Sequence, residues 1–576
     1  MGVTPATRFG FLLLASPLLV FALPKLRLEN TVVGPVSVAT GAVAAAQVLE
    51  AYNAGDGSLR LAVSSNAAWV NPSVGAPRNC SSRPGSCIPI TMAFATASLV
   101  RGVHTATVTV GDPSALDAPQ FVLVTVQVGG GVPDQIELFA APNGSSDEVL
   151  LRTNRPLDGL ATTQSGGQWL SFALDGLGTF RFVLPYRVTA RHLAGMAAGV
   201  YTGAVTTASS GFPPDSKRIP VTFRVTSQPI LQPNPGSLRV RIAQTAVRQQ
   251  RFLFLSNRGQ GTLNLTAASA TTAAGGNWLT AEKVAGADIV ALTLVPTGLA
   301  PGIYQGNVRF TSNAGNPALA VEMVLEVVPA AAPVGSPDGV VNNATFEGGD
   351  VLGKGVIAAI FGEQFTLRAP RSASALPLTT EMDGVRVFVN DRPAPVYFVS
   401  YGQVNLQVPY ETESGEVVVR VDRDGQRGNN VAVRITDSAP RILRLGIGDY
   451  GIIVNQDQTF PIPATPGIPS RPARPGDALV IYVIGAGPTS PPVASGAAAP
   501  LDPLAMLPFP TTVVFGGGVF AQGVQAQPFF FGLTPDFVGL YQVNVIVPVD
   551  TPKGDNVPVY LEGGGIRSNT VRIVVQ

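Results

Sequence analysis

Two segments near the C-terminus repeat one pattern, and this duplication constrains the fold more than any other feature. YGQVNLQVP surrounds Gln403, and LYQVNVIVP surrounds Gln542. The matched residues keep a constant spacing, with Gln403, Asn405, Pro409 and Gly415 recurring as Gln542, Asn544, Pro548 and Gly554. A shift of one residue then matches Asn429 with Asn569. Because aliphatic residues alternate with polar ones, each copy is typical of a strand with one buried face. The pattern predicts a duplicated β domain rather than one enzyme core.

The N-terminal half carries a second, more diverged repeat of about 100 residues, which is the size of an immunoglobulin-like sandwich. Each segment has a Trp followed by an aliphatic residue, then Gly, an aliphatic residue and a ring, then an alternating strand. The tryptophans are Trp69, Trp169 and Trp278, and the rings are His104, Tyr201 and Tyr304. Two interpretations of the tryptophans remain open, core packing and stacking on a sugar.

These repeats predict an all-β chain of about five tandem immunoglobulin-like β-sandwich domains after an N-terminal signal peptide. The 63 Gly and 50 Pro among 576 residues fall between apolar alternating runs, as expected for short strands joined by tight turns. The predicted segments are a signal peptide at 1–25, three immunoglobulin-like domains at 26–130, 131–227 and 228–328, a Pro/Ala-rich linker at 329–337, and two related sandwiches at 338–440 and 441–576.

The N-terminus predicts export. Arg8 precedes the apolar run FGFLLLASPLLVFAL, from Phe9 to Leu23, which is short for a membrane span but suits a signal peptide. An uncleaved anchor and an ordinary buried segment are the alternatives. The expected location is therefore secreted or cell-surface, with no transmembrane span in the mature chain.

The two cysteines agree with export. Cys80 and Cys87 lie in NCSSRPGSC, and in an oxidising compartment they would close one small loop. Two thiolates without neighbouring His or Cys do not complete a tetrahedral metal site. A local disulfide is the favoured interpretation, and free thiols are the alternative.

No catalytic, cofactor or metal motif is present. The chain lacks a nucleophile elbow, an H-E-x-x-H sequence, a P-loop and a dinucleotide fingerprint, and it has only two histidines, His104 and His192. A net charge of +1 without a basic run gives no reason to expect a nucleic-acid partner. The sequence DRDG, with Asp424 before Gly425, suits a hairpin turn better than a calcium loop.

The repeated Gln-Val-Asn strands supply the remaining candidate site. Gln403 and Asn405, with Gln542 and Asn544, are either structural clamps that bond buried backbone groups or ligand-binding residues.

Two families resemble parts of the chain. GVVNNATF, GKGVIAAIFG, DGVRVFVNDRPAPVYFVSYGQVNLQVP, VNQDQTF, RPGDALVIYVIGAGP and GLYQVNVIVP, in this order, resemble the C-terminal domain of exported acidobacterial (Solibacter-type) proteins. That resemblance covers about residues 339–576, and implies export and a tandem of IPT/TIG-like sandwiches without assigned activity. QWLS, NWLT, AGVYTGAV and PGIYQGNV loosely resemble BACON-type bacterial immunoglobulin-like domains, which implies a fold and, faintly, a carbohydrate role.

The predicted function is that of an exported, non-catalytic, multi-domain binding, adhesion or spacer protein, with polysaccharide or a surface protein as candidate partner. The alternatives are an enzyme-accessory or surface-attachment module and an unrecognised hydrolase. Clustered exposed aromatic residues would favour glycan binding, a cleft with convergent carboxylates would favour the hydrolase, and a long bare rod would favour the spacer.

Overall fold

The computed structural model is almost entirely β-structure, which confirms the predicted fold class. It describes residues 23–176, 182–446, 448–508, 511–517, 522–563 and 566–576. These residues form 46 strands and one 3-10 turn, Pro213–Asp215. The strands make paired sheets around five hydrophobic cores, so the chain is a tandem of five β-sandwiches, here numbered 1 to 5 from the N-terminus.

Sandwiches 1 to 3 share one plan, in which a strand near the start of each runs parallel to its last strand. The strands of sandwich 1 are Leu26–Leu28, Val32–Val38, Gln47–Asn53, Ala62–Ser65, Val70–Val74, Arg78–Asn79, Ser86–Phe94, Gly102–Gly111 and Gln120–Val128. Those of sandwich 2 are Ile136–Ala140, Asp147–Thr153, Leu157–Thr163, Leu170–Leu174, Leu184–Ala190, Gly199–Ser209 and Arg218–Val225. Those of sandwich 3 are Leu231–Asn234, Ser237–Ala243, Gln249–Asn257, Leu265–Thr272, Leu279–Lys283, Ile289–Leu294, Gly302–Ser312 and Ala320–Val328.

Sandwiches 4 and 5 hold the duplicated Gln-Val-Asn strands. The strands of sandwich 4 are Val334–Asn342, Leu352–Gly353, Ile357–Glu363, Arg371–Ser372, Glu381–Met382, Val385–Val389, Arg392–Ala394, Val396–Val399, Gln403–Gln407, Gly415–Arg423, Gln426–Arg427 and Val431–Thr436. Those of sandwich 5 are Arg441–Ile442, Ile453–Asn455, Ala478–Ile484, Thr512–Phe515, Val524–Ala526, Phe530–Leu533, Leu540–Ile546, Gly554–Gly563, Ile566–Arg567 and Val571–Val575.

The segment 329–337, predicted as a linker without strand pattern, is partly structured. The strand Val334–Asn342 begins inside it and pairs with Ile357–Glu363. Ala331 is held on both sides, because its N–H donates to Gln364 Oε1 at 2.9 Å and its carbonyl accepts from Arg423 at 2.8 Å. The Pro/Ala composition of the segment does not predict these contacts, because the side chains that bond it belong to sandwich 4.

Sandwich 1 folds back onto sandwich 4 instead of leading away from it. Asp117 is fully buried; its N–H donates to Asn430 O at 2.8 Å, and its Oδ1 accepts from Ala432 N–H at 3.0 Å. Arg27 forms an ion pair with Asp117 and a second one with Asp338, at 2.8 Å. These contacts bring together segments about 300 residues apart in sequence.

The predicted signal peptide lies, except for its last three residues, outside the described part of the chain. In the described part, no helix has the length and apolar character that a membrane crossing requires.

Candidate functional site

The Gln-Val-Asn strands present their amides on the outer face of a sheet. Val404 and Leu406 are buried, and the alternating Gln403 and Asn405 are half-buried. Gln403 Nε2 donates to Asn405 Oδ1 at 2.7 Å. In sandwich 5 the equivalent amide pair, Gln542 and Asn544, is 3.5 Å apart.

Aromatic residues flank both amide pairs. Phe361 lies opposite Gln403 on the neighbouring strand, and Phe398 lies opposite Asn405. In sandwich 5, Tyr482 lies opposite Gln542, and Phe530 lies opposite Asn544. Residues opposite one another across a ladder share a face of the sheet. On that face Phe361, Phe398 and Tyr482 are half-buried, whereas Phe530 is buried.

The backbone clamp predicted for these amides belongs to a different pair of asparagines. Asn429 Oδ1 accepts from Gly335 N–H at 2.7 Å, and its Nδ2 donates to Gly335 O at 3.0 Å. Asn569 makes the same two bonds to Ile442, also at 2.7 and 3.0 Å. The clamp interpretation of Gln403 and Asn405 is therefore corrected: their side chains bond each other. The match of Asn429 with Asn569 in the repeat was the sequence signal for this clamp. The spacing alone does not show which backbone groups each asparagine bonds.

Two of the three tryptophans are core residues. Trp169 and Trp278 are 1% and 2% exposed, whereas Trp69 is half-buried and packs near Phe94. A Cβ on Gly203 would lie 3.3 Å from the Trp169 ring, and one on Gly306 would lie 3.2 Å from the Trp278 ring. These glycines let the indoles pack against the strand, so stacking of a sugar on Trp169 or Trp278 is excluded by burial.

The histidines bond backbone carbonyls. His104 Nε2 lies 2.7 Å from Val100 O, and the hydroxyls of Tyr201 and Tyr304 likewise donate to the carbonyl four residues earlier, each at 2.9 Å. His104 therefore takes the structural place of these tyrosines, as its position in the repeat predicts. His192 Nε2 lies 3.0 Å from Met196 O.

Cys80 and Cys87 are joined by a disulfide, and the loop that it closes is fixed to sandwich 1. Glu50, which is fully buried, accepts from Ser81 N–H at 2.8 Å and from Arg78 at 3.1 Å. Burial alone would raise the pKa of Glu50, but the Ser81 bonds and the Arg78 charge outweigh it and hold the pKa below its usual value. Although Glu50 lies close to both sulfurs, a disulfide offers no thiolate to a metal.

A cleft of about 1130 Å³ between sandwiches 2 and 3 gathers three carboxylates, each paired with an arginine. Asp147 lies 2.8 Å from Arg258, and Glu137 lies 3.4 Å from Arg224. Glu148 pairs with Arg187. Glycosidases use two carboxyl groups that flank the scissile bond, whereas each of these three carboxylates is engaged by an arginine.

The sequence interpretation missed a second cleft, of about 760 Å³, between sandwiches 3 and 4. Arg248, Gln250 and Arg251 line one side, and Phe361 and Gln403 line the other. Burial lowers the pKa of the Arg251 guanidinium. The signal that could have located this region is the alternation in QQRFLFL, which continues from Gln250 into two exposed rings.

Those rings, Phe252 and Phe254, are 46% and 55% exposed. They follow Gln250 at every second position of the strand Gln249–Asn257, so all three residues lie on one face. The intervening Leu253 is fully buried in the core of sandwich 3. Here the name aromatic strip means Phe252 and Phe254, and the name cationic cleft means the cavity that contains Arg248 and Arg251.

Comparisons with known proteins add only distant similarities. No protein-family model matches the chain, and no curated protein matches it. Among solved structures, an endo-fucoidan hydrolase of glycoside hydrolase family 107 is 14% identical with a TM-score of 0.20 over 54% of this chain, which spans 45% of that protein. Drosophila N-cadherin EC1-4 is 11% identical with a TM-score of 0.20, covering 64% of this chain and 92% of the cadherin. The human Desmocollin-1 ectodomain is 10% identical with a TM-score of 0.15, covering 94% and 97%. Scores this low support no argument about function.

Proposed function

We propose that this chain is an exported, non-catalytic protein that binds extracellular polysaccharide on the outer face of sandwich 3. The observation that carries the proposal is the aromatic strip, in which Phe252 and Phe254 are both about half exposed and adjacent on one face. Isolated exposed apolar residues are ordinary, but contiguous ones mark binding surfaces. Two rings at alternate positions of a strand are separated by roughly 7 Å, which gives an elongated polymer more than one contact.

The surface is suited to a partly polar ligand. A flat ring contacts the apolar face of a sugar, and nearby amides bond its hydroxyl groups. Gln250 lies on the same face as the strip, and Gln403 lies across the adjoining cleft. A protein partner would call for a larger continuous apolar core than two rings.

The spacer alternative is disfavoured by the way in which the sandwiches pack. A spacer gains reach when its domains follow one another end to end, but sandwich 1 contacts both sandwich 3 and sandwich 4. Glu326 of sandwich 3 accepts from Thr107 of sandwich 1 at 2.8 Å, and Asp117 of sandwich 1 bonds to sandwich 4. The folded-back arrangement shortens the molecule and fixes the orientation of its surfaces.

Export is supported by the apolar N-terminal run and by the Cys80–Cys87 disulfide, since such bonds persist in oxidising compartments. Expression of the full sequence in a secreting bacterial host, followed by intact-mass measurement, tests this part of the proposal. We expect extracellular or surface-attached protein with no free thiol. Cytoplasmic retention with two titratable thiols would contradict it.

A polysaccharide array probed with the full chain tests the binding function. The Phe252→Ala/Phe254→Ala double variant should lose binding, because both ring contacts are removed and no buried group is disturbed. The matched control is Val103→Ala/Val200→Ala, which removes two equally exposed apolar side chains from sandwiches 1 and 2. Equal binding by both variants, or wild-type protein that binds no polysaccharide, would refute the proposed function.

A further inference from the structure

The cationic cleft contains two arginines, Arg248 and Arg251, and no carboxylate among its described lining residues. Neither arginine forms an ion pair with any residue in the described part of the chain. In the neighbouring cleft between sandwiches 2 and 3, by contrast, Arg224 and Arg258 are both paired with carboxylates.

Arg251 is placed in an unusual position for an unpaired cation. It shares the inward-facing register of its strand with Gln249 and Leu253, which are buried, and is itself half-buried at the end of sandwich 3. One of its amino groups donates to Gln250 O at 2.7 Å, and the residue lines the cleft. A charged group taken partly out of water is unfavourable without a counter-charge, so the site is complementary to an anion that arrives with a ligand.

We propose that the cationic cleft binds an acidic group of the polysaccharide, a carboxylate or a sulfate ester, while the aromatic strip contacts neighbouring sugar rings. This inference rests on the proposed function, and it names the chemical class of the ligand. A guanidinium presents several N–H donors in one plane and bonds two oxygens of a carboxylate or sulfate at once.

The cleft and the strip form one continuous surface. Gln250 lines the cleft and begins the row that continues with Phe252 and Phe254. On the opposite wall, Phe361 offers a further ring, and Gln403, whose Nε2 is engaged by Asn405, offers Oε1 as an acceptor for a hydroxyl group. A polymer lying along this path would meet rings at one end and two positive charges at the other.

Affinity electrophoresis or calorimetry with the full chain and matched polymer pairs tests the inference. Polygalacturonate is compared with its fully methyl-esterified form, and dextran sulfate is compared with dextran. Each pair differs in acidic groups, so the two pairs distinguish carboxylate from sulfate. We expect at least one acidic polymer to bind about tenfold or more tightly than its neutral counterpart, and the preference to shrink as salt is raised.

Three variants locate the effect, and a fourth is the control. Arg251→Gln and Arg248→Gln should each reduce the preference for the acidic polymer, and Arg251→Lys should restore it only in part, because lysine keeps the charge but loses the planar fork. Arg224→Gln on sandwich 2 is the control of equal charge change and should leave binding unaltered. Arg248 is exposed, so its variant remains informative even where Arg251→Gln disturbs folding.

The outcomes separate this inference from the proposed function. Equal binding of acidic and neutral polymers through Phe252 and Phe254 would overturn the acidic-ligand inference and leave polysaccharide binding intact. An acidic preference that survives both arginine substitutions would also overturn it, because the charge would then act elsewhere. If the chain binds none of the four polymers and no arrayed polysaccharide, both proposals are overturned.

Discussion

Removing the Asn429 side chain tests whether the duplicated asparagine clamp stabilises sandwich 4. Asn429 satisfies both backbone groups of Gly335, with bonds of 2.7 and 3.0 Å, and Gly335 is buried. Asn429→Ala leaves an N–H and a C=O without these partners. Each such loss costs about 1–3 kcal/mol when the group stays dry. Because Asn429 is itself half-buried, water can enter the space. We therefore expect each loss to cost about 1 kcal/mol, the lower end of that range, and the two losses together about 2 kcal/mol.

Hydrogen exchange measured by mass spectrometry on the full chain is the suitable assay, since a chain of five sandwiches does not unfold in one transition. A loss of about 2 kcal/mol corresponds to roughly 30-fold faster opening. The effect should appear in peptides that cover the strand Val334–Asn342 and its partner Ile357–Glu363. Asn569→Ala should produce the same change around Ile442, because the second copy has the same two bond lengths.

Asn405→Ala is the matched control, since it removes an asparagine of the same repeat that bonds a side chain instead of the backbone. Exchange in sandwich 4 should then change little, by about 0.5 kcal/mol or less. Equal effects of Asn405→Ala and Asn429→Ala would refute the assignment of the clamp, and so would unchanged exchange near Gly335 in the Asn429 variant.

Four further predictions concern packing, pH and the joints. Gly203→Ala and Gly306→Ala should each lower the thermal stability of their sandwich by about 1–3 kcal/mol, because the new methyl group would lie 2.6 and 2.9 Å from a backbone oxygen; unchanged melting would contradict this packing. The pKa of Glu50 is held below its usual value. Its contribution to stability is therefore present above the pKa of the unfolded state and is lost as the pH falls through the pKa of the folded state. Hydrogen exchange of the disulfide loop should become faster below about pH 4, and this pH dependence should be absent in Glu50→Gln. Limited proteolysis should not cut the segment Pro329–Pro337 first, since its backbone is held by sandwich 4. A first cut there would instead indicate a flexible linker. Glu326→Gln should loosen sandwich 1 from sandwich 3, while the Asp117 contacts still hold it to sandwich 4; hydrogen exchange should become faster around Asn66 and Thr107, and unchanged exchange there would contradict the role of Glu326.

The strand architecture followed from the sequence because alternation and repetition are local signals. The three Trp landmarks and their rings predicted three equivalent sandwiches, and even His104 was correctly matched to the tyrosines. The environment of each Trp was not predictable in the same way. Trp69 is half-buried, and its sandwich has Ala106 where the others have Gly203 and Gly306.

The clamp was attached to the wrong amides because it depends on contacts distant in sequence. Gln403 and Asn405 stand in the most visible part of the repeat, yet they alternate with the buried residues and therefore face outward. Asn429 meets Gly335 across 94 positions and Asn569 meets Ile442 across 127. A recurring Asn shows that some role is shared, but only the folded arrangement identifies the backbone group that it holds.

The packing of the sandwiches against one another was the least predictable feature, and Glu326 explains why. This carboxylate is 2% exposed and is surrounded by donors from two sandwiches. Asn66 and Thr107 of sandwich 1 and Arg239 of its own sandwich each bond it at 2.8 Å. In sequence, Glu326 is one of two acidic residues in a mostly apolar strand and marks no particular partner. Because a buried carboxylate is unfavourable until its donors are in place, the contact fixes one arrangement of sandwiches 1 and 3. That arrangement also determines which faces stay open, and the aromatic strip lies on one of them.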